Sequence, residues 1–316
     1  MKYLDFQGYE DHFKVSRMAL GTGSAMKQFE KKDFFDMFDV FFNAGGNTFD
    51  TAPGYNQGRS AKYLGEWMQE RGNRKDVVIS TKICHRFEGE PSRLSAADME
   101  SDLNECLEGM KTDSIDFLWL HSDDPARSAE EIVDNVNTII KKGNVRAFGC
   151  SNWTAARIAE ANAYAKKSGQ KGFLASQIQW SLAKIEGEAY RKDYNALVMD
   201  DAAYDWYYKN GMTVFAFSSM AQGFFAIATE KGLESLPEKT RAYFENEGNL
   251  LRLGHVKAYM REHHCTSSVP VLGYLLNNKV KAVALTSAAD VDILSDNLKA
   301  ADAEMTADEA DRLYLV

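Results

Sequence analysis

Eight short apolar runs, each followed by a longer amphipathic stretch, constrain the fold of this chain most strongly. The runs cover residues 17–20, 48–51, 77–83, 115–121, 145–151, 173–180, 212–218 and 280–285. The stretches between them carry helical periodicity, clearest over 59–71, 96–110, 129–142, 154–167, 201–209 and 251–263. Strands that alternate with helices form parallel sheets, and eight such units predict an α/β fold, a (β/α)8 or TIM barrel, rather than an open sheet.

The domain organisation follows from the absence of any break in this pattern. The 316 residues contain only five prolines and no linker or low-complexity tract, so we expect one barrel domain over residues 1–316. Two stretches, 183–200 and 223–248, are long for barrel loops and follow the sixth and seventh strands. Long loops on a rigid scaffold usually carry function.

The net charge and the cysteine spacing indicate which binding partners and which cellular environment to expect. The formal net charge is −9, and no Lys/Arg-rich run occurs, which disfavours nonspecific binding to nucleic acid or anionic lipid. The four cysteines form no CxxC pair, which is typical of reduced thiols. No apolar run approaches the roughly 18 residues of a membrane span. We therefore expect a cytoplasmic protein that acts on a small molecule; its oligomeric state stays open.

Polar titratable residues follow the predicted strands at the end where barrels carry their chemistry. Asp50 and Tyr55 follow the second strand, Lys82 lies near the end of the third, and His121 ends the fourth. Each alone has an ordinary structural interpretation as a cap, a packing ring or a solvated charge. Because the carboxyl ends of all strands meet at one face, their joint occurrence there predicts an active site.

These four side chains suit proton transfer to an oxygen atom. A free phenol has a pKa of about 10, and a nearby ammonium favours its ionised form, so we expect Lys82 to lower the pKa of Tyr55. A carboxylate such as that of Asp50 would hold the ammonium in place. His121 could orient a carbonyl oxygen while Tyr55 protonates it and a hydride reaches the carbon.

The segment 49–65, FDTAPGYNQGRSAKYLG, resembles the signature of the aldo-keto reductase family, in which an Asp precedes a Tyr by five residues. The Lys82 strand, the Leu120-His121 pair and the run 149–153 are similar to the family's following motifs, and the likeness extends from about residue 15 to 298. It implies a catalytic tetrad in which Tyr55 is the proton donor; the tetrad comprises Asp50, Tyr55, Lys82 and His121. It also implies a nicotinamide cofactor bound at the barrel mouth without a GxGxxG motif.

The resemblance assigns cofactor contacts position by position. Ser151, Asn152 and Gln177 match the residues that bind the nicotinamide carboxamide, and Phe217 matches the aromatic ring on which the nicotinamide stacks. The remaining matches are Ser218, Met220 and Gly223 at the pyrophosphate, and Asp296 and Asn297 at the adenine. Ordinary interpretations exist as well: Phe217 could belong to the core, and Ser151-Asn152 could cap the helix that follows.

The adenosine end departs from the family pattern. Many members carry an Arg or Lys that grips a 2′-phosphate, and Ala289 occupies that position here, with Asp290 and Asp292 close by. Carboxylates repel a phosphate and can accept a hydrogen bond from a free 2′-hydroxyl, or they can simply cap a helix. The cofactor is therefore NADH or NADPH, and we expect weak discrimination or a preference for NADH.

Several alternatives stay open at this point. Lys82 could form a Schiff base in a barrel aldolase, or the protein could bind a nicotinamide without turnover and act as a regulatory barrel. Trp153, Trp180 and Met26 could line the substrate pocket, although Trp180 could equally pack in the barrel. The run 262–265, EHHC, contains metal-ligand types, but neighbouring helical residues point in different directions, so we expect no metal site.

Overall fold

The eight predicted strands close into one parallel barrel. The computed structural model describes residues 1–85, 90–186 and 189–315. Every barrel strand pairs in parallel with its neighbours, and the last strand returns to the first. The barrel strands are β3 (Met18–Gly21), β4 (Thr48–Asp50), β5 (Val78–Ile83), β6 (Ile115–Leu120), β7 (Val145–Ser151), β8 (Ala175–Gln179), β9 (Thr213–Phe217) and β10 (Ala282–Thr286). The TIM-barrel prediction is confirmed.

Helices lie between successive strands and cover the outside of the barrel. In chain order they are α1 (Lys31–Asn43), α2 (Arg59–Arg71), α3 (Ala96–Met110), α4 (Ala129–Ile140), α5 (Ala155–Ser168), α6 (Ala189–Tyr194), α7 (Asp201–Asn210), α8 (Phe224–Glu230), α9 (Glu238–Phe244), α10 (Glu247–His263), α11 (Ser268–Leu276), α12 (Val291–Leu298) and α13 (Ala307–Tyr314). Within the described ranges, none is long and apolar enough to cross a membrane.

Short polar side chains set where several helices begin. Ser95, Ser128 and Thr154 each accept a hydrogen bond from the backbone N–H three residues later, at the start of α3, α4 and α5. Such a cap contributes about 1 kcal/mol. Since Thr154 caps α5 itself, Ser151 and Asn152 are not needed as caps; Ser151 ends β7, and Asn152 follows it.

An antiparallel hairpin that the sequence pattern did not reveal precedes the barrel. It consists of β1 (Tyr3–Gln7) and β2 (His12–Ser16). Phe6 and Phe13 pack on Phe117 inside the barrel, with ring centroids 4.7 and 5.3 Å apart, and Phe117 in turn contacts Phe215 at 4.8 Å. These rings fill the amino end of the barrel, so the carboxyl end is where a cavity can form.

The two long stretches after the sixth and seventh barrel strands are partly helical. The first contains α6, and the second contains α8, α9 and the start of α10. The residues 187 and 188 within the first stretch lie outside the described part of the chain. Both stretches run over the carboxyl end of the barrel, since Tyr190 and Tyr194 of α6 and Ala226, Ile227 and Glu230 of α8 line the cavity described next.

Candidate active site

A cavity of about 1570 Å³ opens at the carboxyl ends of the barrel strands. All thirteen residues that the sequence singled out lie on its wall, namely Asp50, Tyr55, Lys82, His121, Ser151, Asn152, Gln177, Phe217, Ser218, Met220, Gly223, Asp296 and Asn297. They come from segments as far apart in sequence as β4 and α12. The barrel brings them together because parallel strands end at one face.

A buried ion pair lies at the base of this cavity. The Nζ atom of Lys82 lies 2.6 Å from Oδ2 of Asp50 and donates a second hydrogen bond of 3.0 Å to the carbonyl of Thr51. The two charged side chains are only 2% and 4% exposed. Burial is the largest effect and lowers the pKa of Lys82, but the charges and hydrogen bonds of Asp50 and Tyr55 together exceed it and leave the pKa raised. Lys82 is therefore a cation held in a fixed position.

The second oxygen of Asp50 is fixed by Gln177, which the sequence assigned to the cofactor, and by Ser80, which sequence reasoning missed together with Trp119. Oδ1 accepts hydrogen bonds from Oγ of Ser80 at 2.7 Å and from Nε2 of Gln177 at 2.9 Å. Trp119 donates its indole N–H to the same Ser80 hydroxyl at 2.8 Å. Strand alternation could have found them: Ser80 lies two residues before Lys82, and Trp119 is opposite Lys82 on β6.

The Tyr55 ring lies beside this ion pair. Nζ of Lys82 is 4.9 Å from the ring centroid. Burial raises the pKa of Tyr55, Lys82 opposes that shift, and Asp50 adds to it, so the pKa is raised overall. Lys82 thus lowers the pKa of Tyr55 as expected, but desolvation of the buried phenolate is the larger effect and sets the net direction. The phenol thus keeps its proton at neutral pH.

His121 directly follows β6, and its ring centroid lies 6.3 Å from that of Tyr55. Burial, the charge of Lys82 and neighbouring His85 hold the pKa of His121 well below its usual range. The imidazole is therefore neutral near pH 7 and carries a proton on one of its two nitrogens. His85 contacts it directly, with Nδ1 of each ring 3.1 Å apart, which the sequence did not predict.

Amide, hydroxyl and aromatic groups continue the wall beyond the tetrad. Asn152 has a left-handed backbone, with φ of 59°, and its Nδ2 donates to Oγ of Ser151 at 3.3 Å. Its Oδ1 accepts from the backbone N–H of Leu197 at 3.1 Å, which fixes the amide. Phe217, the last residue of β9, is only partly buried, so its ring is open to the cavity rather than enclosed in the core.

Strained backbone concentrates around this cavity. Non-glycine residues rarely adopt a left-handed φ, and each costs about 1–3 kcal/mol when it does. Of the ten such residues in the described ranges, five line the cavity: Asn56, Gln57, Asn152, Ser218 and Gln222. Such strain clusters at functional sites because the surrounding structure must hold it. The turn after β9 contains Ser218, Met220 and Gly223. Its strained backbone indicates that this turn has a functional role beyond connecting β9 to α8.

The far wall of the cavity is built from α12 and its neighbours. Ser268 donates a hydrogen bond to Asp296 at 2.7 Å, and Asn297 donates one to Thr286 at 3.0 Å. Ala289 and Asp292 also face the cavity. Asp290 does not line it; its carboxylate accepts from the backbone N–H of Ile293 at 2.8 Å and caps α12.

Three side chains considered for the substrate pocket lie elsewhere. Trp153, Trp180 and Met26 are 1%, 3% and 0% exposed and belong to the hydrophobic core, which corrects that expectation. Trp153 packs on Phe173, with ring centroids 5.1 Å apart. The described residues contain no cluster of three or more metal-ligating side chains. Among the described residues, the tyrosine and phenylalanine rings on the cavity wall are those of Tyr55, Tyr190, Tyr194 and Phe217.

Several known proteins are similar to this chain in sequence, and one solved structure is similar to it in fold. Norsolorinic acid reductase B of Aspergillus parasiticus is 30% identical over 244 residues, which are 72% of this chain and 60% of that relative. The aryl-alcohol dehydrogenase (NADP(+)) of Phanerodontia chrysosporium is 30% identical over 52% of this chain and 45% of its own length. A probable aryl-alcohol dehydrogenase of Saccharomyces cerevisiae is 24% identical over 91% of this chain and 88% of its own length.

The match to norsolorinic acid reductase B thus spans less than two thirds of that relative. Among solved structures, a thermostable aldo-keto reductase crystallised with the inhibitor epalrestat aligns over 99% of both chains, with a TM-score of 0.73 and 20% identity, which shows the fold. The sequence profile of the Aldo/keto reductase family matches residues 17–314. This chain belongs to the aldo/keto reductase family.

Proposed function

We propose that this enzyme reduces an aldehyde or ketone to the alcohol, or catalyses the reverse reaction, with Tyr55 as the proton donor. The observation that carries the proposal is the buried Lys82–Asp50 ion pair beside Tyr55 and His121 in one cavity. A phenol that keeps its proton suits reduction, since an acid is needed when negative charge develops on the carbonyl oxygen. The cofactor would supply the hydride.

Each member of the tetrad has a distinct part in this proposal. Tyr55 donates its phenolic proton to the carbonyl oxygen, and Lys82 stabilises the phenolate that remains. Asp50 holds Lys82 in its charged form and in position. Neutral His121 offers an N–H to the same oxygen and thereby fixes the orientation of the carbonyl.

The residues on the wall fit a nicotinamide dinucleotide. Ser151, Asn152 and Gln177 would bind the carboxamide, and the open ring of Phe217 would stack on the nicotinamide. The strained turn with Ser218, Met220 and Gly223 would contact the pyrophosphate. Asp296 and Asn297 would bind the adenine. A cavity of about 1570 Å³ is larger than a small carbonyl alone requires, which supports a second, larger ligand.

The aromatic wall favours an aromatic carbonyl as substrate. Tyr190 and Tyr194 of α6 lie with their ring centroids 4.7 Å apart, and both face the cavity. Tyr194 is half-exposed, so it can cover a ligand that enters. Planar aromatic ligands gain from such rings through offset or edge-to-face contacts. The name aryl-alcohol dehydrogenase, which two of the relatives carry, agrees with this class.

A panel assay tests the proposal. We expect NADPH or NADH to be oxidised in the presence of aromatic aldehydes, with a higher kcat/KM for benzaldehyde derivatives than for aliphatic aldehydes of equal length. Equal kcat/KM for the two groups would refute the aromatic substrate class and leave the reduction itself intact. The absence of cofactor oxidation with every carbonyl tested would refute the reductase.

Two other functions are less well supported by the site. A Schiff-base aldolase needs a neutral lysine, but Asp50 keeps the pKa of Lys82 raised, so its amine is protonated near neutrality. Borohydride trapping with a substrate carbonyl would detect such a lysine. A regulatory barrel that binds a nicotinamide without turnover would not need the ion pair, whose burial costs free energy.

The Phe217 ring provides a direct test of cofactor binding. We expect Phe217→Ala to weaken cofactor affinity by about 1 kcal/mol, or roughly fivefold. The variant loses the stacking of the nicotinamide on an aromatic ring, and a pair of stacked rings contributes a free energy of about this size. Titration of protein fluorescence with cofactor measures the dissociation constant. Phe217→Tyr is the matched control and should bind as wild type does. Unchanged affinity in the Ala variant would assign Phe217 to the core alone.

Cofactor choice is a separate proposal, since the chain departs from its family at the adenosine end. Ala289 provides no charge for a 2′-phosphate, and Asp292 on the same wall would repel one. Lys281 precedes β10 and so lies at the amino end of the barrel, away from the cavity. Besides Lys82, the cations on the described cavity wall are Lys27, Arg59 and Lys231, none of which belongs to the β10–α12 segment around Ala289. The Arg59 guanidinium donates to the carbonyls of Asn56, Phe29 and Lys27. These features favour NADH or weak discrimination.

Dissociation constants for NADH and NADPH at one ionic strength test this preference. We expect wild type to bind NADH at least as tightly as NADPH, and Ala289→Arg to shift the ratio toward NADPH. NADH binding to the same variant is the internal control, since it lacks the 2′-phosphate. One relative is named for NADP(+). A wild-type protein that binds NADPH a hundredfold more tightly would overturn the assignment of Ala289 to the phosphate position.

A further inference from the structure

His85 is a second histidine at the site, outside the tetrad. It lies two residues beyond β5, and its ring centroid is 4.6 Å from that of His121. The Nδ1 atoms of the two rings are 3.1 Å apart, which is a hydrogen-bond distance. One ring therefore donates an N–H and the other accepts it, and the tautomers of the two histidines determine which ring is the donor.

Hydrogen bonds fix the backbone on which both histidines lie. The backbone N–H of His121 donates to the carbonyl of Ile83 at 2.9 Å and so extends the β5–β6 pairing by one residue. Cys84 then adopts a left-handed φ of 61°, which redirects the chain, and its N–H donates to Asp102 at 2.7 Å. A non-glycine residue held in this strained region indicates a position that the surrounding structure determines closely.

The protonation state of His121 reduces the choice to two tautomers. Its pKa lies well below the usual range, first through burial and then through Lys82 and His85, so the ring is neutral. A neutral imidazole has one donor nitrogen and one acceptor nitrogen. If His121 donated from Nδ1 to His85, its Nε2 would be an acceptor and could not donate to a carbonyl oxygen. If His121 accepts at Nδ1, its proton lies on Nε2.

We propose that His85 is a positioning residue that donates its Nδ1–H to Nδ1 of His121 and thereby keeps the His121 proton on Nε2, where it can bind the substrate oxygen. The inference rests on the proposed carbonyl reduction, which requires a donor from His121. Histidine tautomers in proteins are commonly set by the hydrogen bond at the other ring nitrogen. Here a histidine takes the place that a carbonyl or carboxylate takes in other sites.

Side-chain amides at position 85 separate this role from simple packing. The amide nitrogen of Asn can replace Nδ1 of histidine, whereas that of Gln replaces Nε2. We therefore expect His85→Asn to keep near-wild-type kcat. We expect His85→Gln and His85→Leu to lower kcat about fivefold, which corresponds to the loss of one hydrogen bond. The KM for the cofactor should change little. Equal kcat in all three variants would overturn the proposal.

Nitrogen-15 NMR of the imidazoles tests the tautomer without any turnover. The chain has only six histidines, and the His121 signals are assigned by their loss in His121→Phe. We expect wild type and His85→Asn to show a protonated Nε2 on His121, and His85→Leu to show a mixture. A wild-type His121 protonated on Nδ1 would refute the proposal. If the tautomer depends on His85 but no carbonyl is reduced, the hydrogen bond stands and the proposed function alone fails.

Discussion

Replacing Tyr55 with phenylalanine is expected to lower turnover by about a hundredfold or more, the usual contribution of a general acid. The change removes only the hydroxyl, and the ring keeps its place beside Lys82, so folding and cofactor binding should persist. Steady-state kinetics with an aromatic aldehyde, together with a cofactor titration, separate the two effects. The phenol has a raised pKa, so wild-type reduction should stay independent of pH through neutrality and fall only at alkaline pH, beyond the range in which a free phenol titrates.

Tyr207→Phe is a matched control for the Tyr55 variant. Its hydroxyl is also buried and hydrogen-bonded, at 2.8 Å to Oγ of Ser176, but it lies between α7 and β8, outside the cavity wall. We expect this variant to lose some stability and to keep its turnover. A well-folded Tyr55→Phe protein with near wild-type reduction would show that another group supplies the proton.

Replacing Lys82 with methionine is expected to harm both stability and turnover. The variant leaves the carboxylate of Asp50 buried without its cation, which costs about 3–5 kcal/mol when one partner of a buried pair is removed. Loss of the ammonium also removes the charge that lowers the pKa of Tyr55, so that pKa should rise further. The alkaline fall in reduction rate should then move to higher pH, while turnover at neutral pH drops because the acid is weaker.

A double variant separates the structural role of Lys82 from its chemical role. Lys82→Met combined with Asp50→Asn removes both charges, so we expect it to recover much of the lost stability and none of the lost turnover. Thermal unfolding and the pH dependence of kcat measure the two effects. A single variant whose pH–rate profile matches wild type would show that the ammonium does not tune the phenol.

The barrel could be predicted from sequence because its strands are apolar runs bounded by polar residues. The run 77–83 became β5, and 145–151 became β7 without change. The hairpin of β1 and β2 was missed, since half of its side chains are exposed and only a few, such as Phe6 and Phe13, enter the barrel. Helix α1 was not singled out either, although its buried side chains Phe34, Phe38 and Phe41 recur at the spacing of one helical face.

The part of the site that lies at the ends of the strands could be predicted from the sequence. Asp50 and Lys82 come together because β4 and β5 pair in register, and the family motif added Tyr55. His85 could not be found in this way, since its position depends on the left-handed turn at Cys84 and on Asp102 of α3. The net direction of the Tyr55 pKa shift could not be predicted from the sequence either. It depends mainly on burial, which the whole cavity wall determines, rather than on one charged neighbour.

Transfer of deuterium from the cofactor tests the central claim most directly. The enzyme is incubated with an aromatic aldehyde and with NADH or NADPH that carries two deuterium atoms at C4 of the nicotinamide, and the product is analysed by mass spectrometry. The account predicts an alcohol with one deuterium on its carbinol carbon, formed by wild type and at least a hundredfold more slowly by Tyr55→Phe. An alcohol without deuterium, or no alcohol from any carbonyl with either cofactor, would contradict it.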